Sequence, residues 1–202
     1  LDAANRGANL ALRQDGAHLP ADGAQIRLAG SVCDQGPLQR RLAVDPMARG
    51  RLVFERYGAD HGPESALISW SVAKSVLHSL VGLLVRDGKL ATEMRADLPA
   101  WRAPGDPRAS LTLDVLLRMS SGLAWREDYV DAGSSDVIEM LFGRGKDDVA
   151  AYAAESPLEH VPDTVWCYSS GTSNLVSAIA GRAIGGGQAG VFEYLRRELF
   201  DR

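Results

Sequence analysis

The chain has 202 residues, 46% hydrophobic and 24% charged, with a formal net charge of -4. Those values suit one globular domain with a real core, or at most two small ones, and disorder is not the default. The acidic balance argues against a nucleic-acid-binding surface, and two distant cysteines, Cys33 and Cys167, make no disulfide scaffold.

Residues 1 to about 45 carry weak signals, and Ile26 to Val32 is their best strand candidate. This leading segment receives no role. From Gly50 the pattern sharpens: Leu52, Phe54 and Tyr57 are interleaved with Arg51, Val53 and Glu55, an imperfect alternation ending at Gly58 that predicts a strand. Ser71 to Asp87 is the strongest helix, with Val72, Val76, Leu80, Leu83 and Leu84 at helical spacing and Gly88 as its stop. Its apolar run, Val76 to Val85, is too short to span a bilayer. Further helices are expected after Thr112, from the Ser134-Ser135-Asp136 cap to Phe142, over Lys146 to Ala154, from Ser173 to Ile184, and from Val191 to Phe200. Strands therefore come early and helices dominate after Ser71. The chain begins with Leu1, not Met, which is compatible with a removed signal peptide and leaves the compartment open between periplasm and cytoplasm.

Ser71-Val72-Ala73-Lys74 is an S-x-x-K at the start of the best helix, and the i, i+3 spacing puts both side chains on one face. A hydroxyl is a poor nucleophile until a base takes its proton, and a lysine can be that base when desolvation favours its neutral form. A first-turn serine also leaves its own N–H to bind an oxyanion. With 16 serines and only three lysines in the chain, chance supplies roughly a quarter of one such match. The plain alternative is a serine cap beside a solvated lysine.

Other signals fall away. There is no G-x-S-x-G, so an α/β-hydrolase triad is disfavoured. His18, His61, His78 and His160 are dispersed, with no metal-ligand spacing. His78, two turns beyond Ser71, reads as a core-edge histidine. Cys167 reads as a packing thiol. Gly185 to Gly190 formally satisfies G-x-G-x-x-G but follows a helix, which makes it a turn between helices. The pair Asp147-Asp148 reads as a helix N-terminal charge effect.

The block Ile68-Ser69-Trp70-Ser71-Val72-Ala73-Lys74-Ser75 and the later block Trp166-Cys167-Tyr168-Ser169-Ser170-Gly171-Thr172-Ser173-Asn174-Leu175 together resemble the serine β-lactamase-like superfamily. The closest resemblance is to its class C, esterase and nylon-oligomer-hydrolase branch. Arg51 to Gly58 and Leu116 to Leu123 supply two supporting blocks in the right order, so the resemblance covers roughly residues 50 to 202. It implies an α+β fold of the β-lactamase/transpeptidase type: a mostly helical domain plus the first strands of an antiparallel sheet, over residues 46–202. It implies Ser71 as the acylated nucleophile, Lys74 as its activator and Tyr168 as the proton shuttle of the family's Tyr-x-Asn motif. Ser170 stands where that motif has asparagine, with a shorter polar reach toward substrate or lysine. Tyr129 falls in a loop where the nylon-oligomer-hydrolase branch carries a substrate-facing tyrosine; a surface aromatic is the equal alternative.

The implied activity is hydrolysis of a small-molecule ester or amide without metal or cofactor, with no nucleic-acid partner and no membrane span; the oligomeric state is left unassigned. A penicillin-recognising β-lactamase or D-alanyl-D-alanine peptidase is the runner-up, and a non-catalytic binding or sensing module is the alternative of another class. The family's third motif, a Lys-Thr-Gly or His-x-Gly type triplet on a strand that also supplies the second oxyanion-hole N–H, would come after Phe200. The chain is then a piece of a protein of roughly 350–400 residues, which is the favoured expectation, or its site is completed elsewhere, or it is inactive.

Overall fold

Four short strands come first in the computed structural model, which describes residues 43–44, 47–48, 51–52, 56–57, 62, 64–66, 68–129 and 133–202. They are β1 (Ala43–Val44), β2 (Met47–Ala48), β3 (Arg51–Leu52) and β4 (Arg56–Tyr57). Both pairings are antiparallel and nested in sequence: β2 pairs β3 with Ala48 opposite Arg51, and β1 pairs β4 with Val44 opposite Arg56. Within the single strand expected over Arg51 to Gly58, the described residues form two strands, β3 and β4. The candidate Ile26 to Val32 lies outside the described residues. These strands belong to the first of two compact units, Leu1–Ile68; the second is Ser69–Arg202.

The second unit is helical. Helix α1 (Val72–Arg86) buries Leu80, Val81 and Leu84. The apolar stripe read from the sequence begins at Val72, yet Val72 is 67% exposed. Only the C-terminal half of α1 enters the core, and its first turns face out. Gly88, at φ 68, takes the left-handed conformation that ends the helix. Pro99 and Pro107 then start two single 3₁₀ turns, Pro99–Trp101 and Pro107–Ser110, each using proline's preset φ in a first turn. The buried Trp101 donates its Nε1–H to the carbonyl of Ala154, 2.9 Å away.

Side-chain caps set the next helix starts. Thr112 accepts from the N–H of Val115 to open α2 (Leu113–Leu117), and Ser135 from Ile138 to open α3 (Asp136–Phe142). Asp148 accepts from Ala151 and opens α4 (Val149–Ala154), so that helix starts after Lys146 and Asp147 instead of including them. Ser169 accepts from Thr172 and opens α5 (Ser170–Ile184), three residues earlier than the apolar pattern predicts. Gly185, Gly186 and Gly187 all have positive φ and form the turn into α6 (Gly187–Leu195). A π-turn, Arg196–Phe200, follows it.

Helix α5 is the hub of this unit, packing against α1, α2, α3, α4 and α6. Leu84, Leu113, Leu116 and Met140 are fully buried around its own Leu175 and Ala180. Each large apolar side chain so buried contributes roughly 1.5–3 kcal/mol. The first turn of α5 is also buried, and it is small: Gly171, Thr172 and Ser173. Gly171 has a steric reason, since a Cβ there would lie 2.5 Å from the ring of Trp125. Trp125, itself only 8% exposed, is seated on backbone that no larger residue would uncover. Gly171→Ala should therefore overpack this contact and cost about 1–3 kcal/mol, read from urea-induced unfolding.

Candidate active site

Ser71 sits at the N-cap of α1 but does not act as a cap. Its dihedrals, φ -68 and ψ -6, are already helical, and its side chain makes no capping hydrogen bond. A capping serine takes extended dihedrals so that its hydroxyl reaches back to the first-turn N–H groups. Here the hydroxyl is released from that duty. The turn before it is strained, because Trp70 has φ 45, a conformation that non-glycine residues occupy at a cost of about 1–3 kcal/mol. The plain-cap alternative therefore fails.

Ser71 Oγ is instead held from two sides. Lys74 Nζ donates to it at 3.2 Å, and the Tyr168 hydroxyl at 2.8 Å. Lys74 Nζ makes a second bond, 3.0 Å to Ser170 Oγ, and lies 5.0 Å from the centre of the Tyr168 ring. Of the residues singled out in the sequence, Ser71, Lys74, Tyr168 and Ser170 thus come together. Separations of 96 and 97 positions in the chain are closed by side-chain hydrogen bonds.

The position of Tyr168 is set by the segment after α2. The N–H of Cys167 donates to the carbonyl of Met119, and that of Asp163 to Ser120, both at 2.8 Å. Gly122, at φ 76, lies so close to residue 160 that a Cβ would meet the His160 carbonyl oxygen at 2.3 Å. Arg118 adds ion pairs to Asp114 and Asp163. The Leu116 to Leu123 block therefore works as a brace under the tyrosine segment.

Glu127 was not singled out by the sequence. Its Oε1 accepts from Ser170 Oγ at 2.5 Å and from the Tyr129 hydroxyl at 2.6 Å. Its Oε2 accepts from the Ser170 N–H at 2.9 Å and from Trp125 Nε1 at 2.5 Å. Burial pushes this carboxyl up, but the bonds from Ser170, Tyr129 and Trp125 together outweigh it and hold it below its ordinary value. The available signal was spacing: Trp125, Glu127 and Tyr129 alternate, which in extended chain puts all three on one face. Tyr129 itself is 58% exposed, with its hydroxyl turned onto Glu127. Burial of that hydroxyl, then its bond to Glu127, push it up to about 12.

The remaining candidates stand apart. Cys167 is a half-buried free thiol, pushed up by burial and then by the charges of Glu127 and Glu159, which suits packing and not nucleophilic attack. Cys33 lies outside the described residues. His78 is exposed on α1 and not at the core edge. Asp148 takes the helix-start role expected of the Asp147-Asp148 pair. Among the described residues, no helix is long and apolar enough to cross a membrane and no group of three or more His, Cys, Asp or Glu could hold a metal ion.

Because the Glu127 carboxyl lies below its ordinary 4.5 when folded, the stability it contributes is complete above that pH and is lost as the pH falls through the lower value. Glu127→Gln should accordingly flatten the stability profile on the acid side of pH 4.5, measured as thermal midpoint against pH and compared with the parent chain.

Comparison with known proteins agrees with this fold. No curated protein matches the chain. Among solved structures, one from Bacillus anthracis described as a 6-aminohexanoate-dimer hydrolase matches with a TM-score of 0.59 at 18% identity. The match covers 78% of this chain and 42% of that one, so the chain spans less than half the length of the structure it resembles. Residues 42–202 match the sequence model of the family described as Beta-lactamase. That span takes in the strands, α1 with its S-x-x-K and the tyrosine segment, and the chain belongs to the β-lactamase family.

Proposed function

We propose that the chain carries the acylating centre of a serine hydrolase that cleaves an ester or amide through a covalent intermediate on Ser71. One observation carries this reading: Ser71 Oγ, freed from capping, is bonded by both Lys74 Nζ and the Tyr168 hydroxyl. A structural serine has no need of two proton-carrying partners at an exposed helix start. A nucleophile does, because one proton must leave as it attacks and another must reach the leaving group.

The steps follow from that arrangement. As the bond from Oγ to the substrate carbonyl carbon forms, the Ser71 O–H bond breaks and its proton passes to the lone pair of Lys74 acting in its neutral form, while Tyr168 keeps the proton that it donates to Oγ. The Ser71 N–H, ahead of the i to i-4 ladder, serves as one donor to the developing oxyanion. Collapse breaks the C–O or C–N bond of the substrate, and Tyr168 passes a proton to the departing alcohol or amine. A water then attacks the acyl ester by the same proton route, releasing the acid and restoring Ser71.

Ser71→Ala in the intact protein should lower turnover of p-nitrophenyl acetate by roughly 10³-fold or more and abolish labelling by a fluorophosphonate. Undiminished turnover would sink the proposal. A stable penicillin adduct on Ser71 would move the assignment to penicillin recognition, and failure of the parent protein to form any adduct would favour a binding module. Tyr168→Phe keeps the ring beside Lys74 but removes the shuttle. Its kcat should fall about 10²- to 10⁴-fold, with labelling slowed but still located on Ser71 by mass spectrometry.

A further inference from the structure

Ser170 and Glu127 form a pair whose protons can be counted. A serine hydroxyl has one proton and can accept with its lone pairs, whereas an ionised carboxylate only accepts. The 2.5 Å separation between Ser170 Oγ and Glu127 Oε1 lies in the range of a charge-assisted O–H to carboxylate bond. The single Ser170 proton is therefore committed to Glu127. Lys74 Nζ, 3.0 Å from the same Oγ, must then be the donor in that contact. A lysine ammonium can only donate to Ser170; what the carboxylate adds is that a neutral Lys74 must do so too, because the Ser170 proton is not there to occupy the amine lone pair.

Glu127 is suited to that task because it cannot turn. Four donors, two on each oxygen, occupy its acceptor sites: Ser170 Oγ–H and Tyr129 O–H on Oε1, Ser170 N–H and Trp125 N–H on Oε2. This also argues against Glu127 as a general base toward water, since its lone pairs are already taken. Its two bonds to Ser170, one from the backbone and one from the side chain, fix that residue at the first turn of α5 and aim its hydroxyl.

We infer that Glu127 is a positioning residue for acylation, holding the Ser170 hydroxyl as an acceptor so that Lys74 is pinned between Ser170 and Ser71. The inference rests on the hydrolase reading above. A side-chain amide at position 170 would present its carbonyl oxygen to the lysine without help. Toward a neutral amine a hydroxyl can either give or take, and Glu127, by holding its proton, leaves it only to take.

The test is a double-mutant cycle on the intact protein with p-nitrophenyl acetate, plus the rate of Ser71 labelling by a fluorophosphonate. Glu127→Gln should lower kcat and the labelling rate roughly 10- to 100-fold, as expected when a reacting group loses its placement, with KM changed less than about twofold. Ser170→Ala should lose a similar factor, and the double variant should lose little more than either single one. In a Ser170→Asn background, where the amide oxygen replaces the oriented hydroxyl, Glu127→Gln should cost less than about threefold. Full activity in Glu127→Gln or in Ser170→Ala, while Ser71→Ala is dead, would overturn the inference and leave the hydrolase reading intact. Multiplicative losses, or an equal Glu127→Gln penalty in the Ser170→Asn background, would also overturn it. Because the Ser170→Ala arm keeps Glu127 in place, the inference stays falsifiable even if Glu127→Gln does not fold. Turnover surviving in Ser71→Ala would remove the hydrolase reading itself, and this inference with it.

Discussion

Trp125 can approach the first turn of α5 only because residue 171 has no side chain, and the site is assembled around that contact. The seated indole directs its Nε1–H at Glu127. Glu127 in turn clasps the hydroxyl and N–H of Ser170. Three successive residues at one helix start thus do three jobs: Ser169 caps, Ser170 receives the lysine, and Gly171 makes room. A helix N-terminus suits this work, since its first N–H groups have no partners inside the helix and attract a carboxylate. Glu127 takes one of them, from Ser170.

The two halves of α1 divide labour in a related way. Its C-terminal half is anchored by Leu80, Val81 and Leu84. Its N-terminal half gives up burial: Trp70 and Val72 are exposed, and Trp70 occupies a strained conformation. Ser71 and Lys74 are presented by a rigid helix whose apolar anchoring lies two turns away. The strain at Trp70 is small beside the burial in the second half, so the helix can carry it.

What the sequence revealed and what it concealed follow the range of the interactions involved. Helix starts governed by a cap three residues from its partner, as at Thr112 and Ser135, are local and legible. The apolar pattern starts α5 three residues late because Ser170, Gly171 and Thr172 are poor helix formers, held helical by the Ser169 cap and by packing. Val72 belongs to the apolar stripe yet lies outside the core, because periodicity reports a face but not how far along the helix the core extends. Ser71 and Lys74 could be named from residue types and spacing, and Tyr168 only through the family resemblance. Glu127 could not, because its importance depends on a glycine 44 positions later, a tryptophan ring and a helix start that meet only in the folded chain.

Serine at position 170 illustrates how a shortened side chain can keep its place in a polar network. An amide oxygen is an acceptor by its chemistry. Toward a neutral amine a hydroxyl is held as an acceptor only when its proton is claimed by another group, so its role there is conferred from outside. Here the claim comes from a carboxylate on a separate loop, saturated by four donors and ionised in spite of its burial. Placement of the lysine is thereby coupled to packing: disturbing Trp125 on Gly171 moves Glu127, which releases Ser170 and leaves Lys74 with one fixed contact in place of two. In a site built this way, core packing and proton direction become a single property, and a substitution buried beneath the surface acts on the chemistry above it.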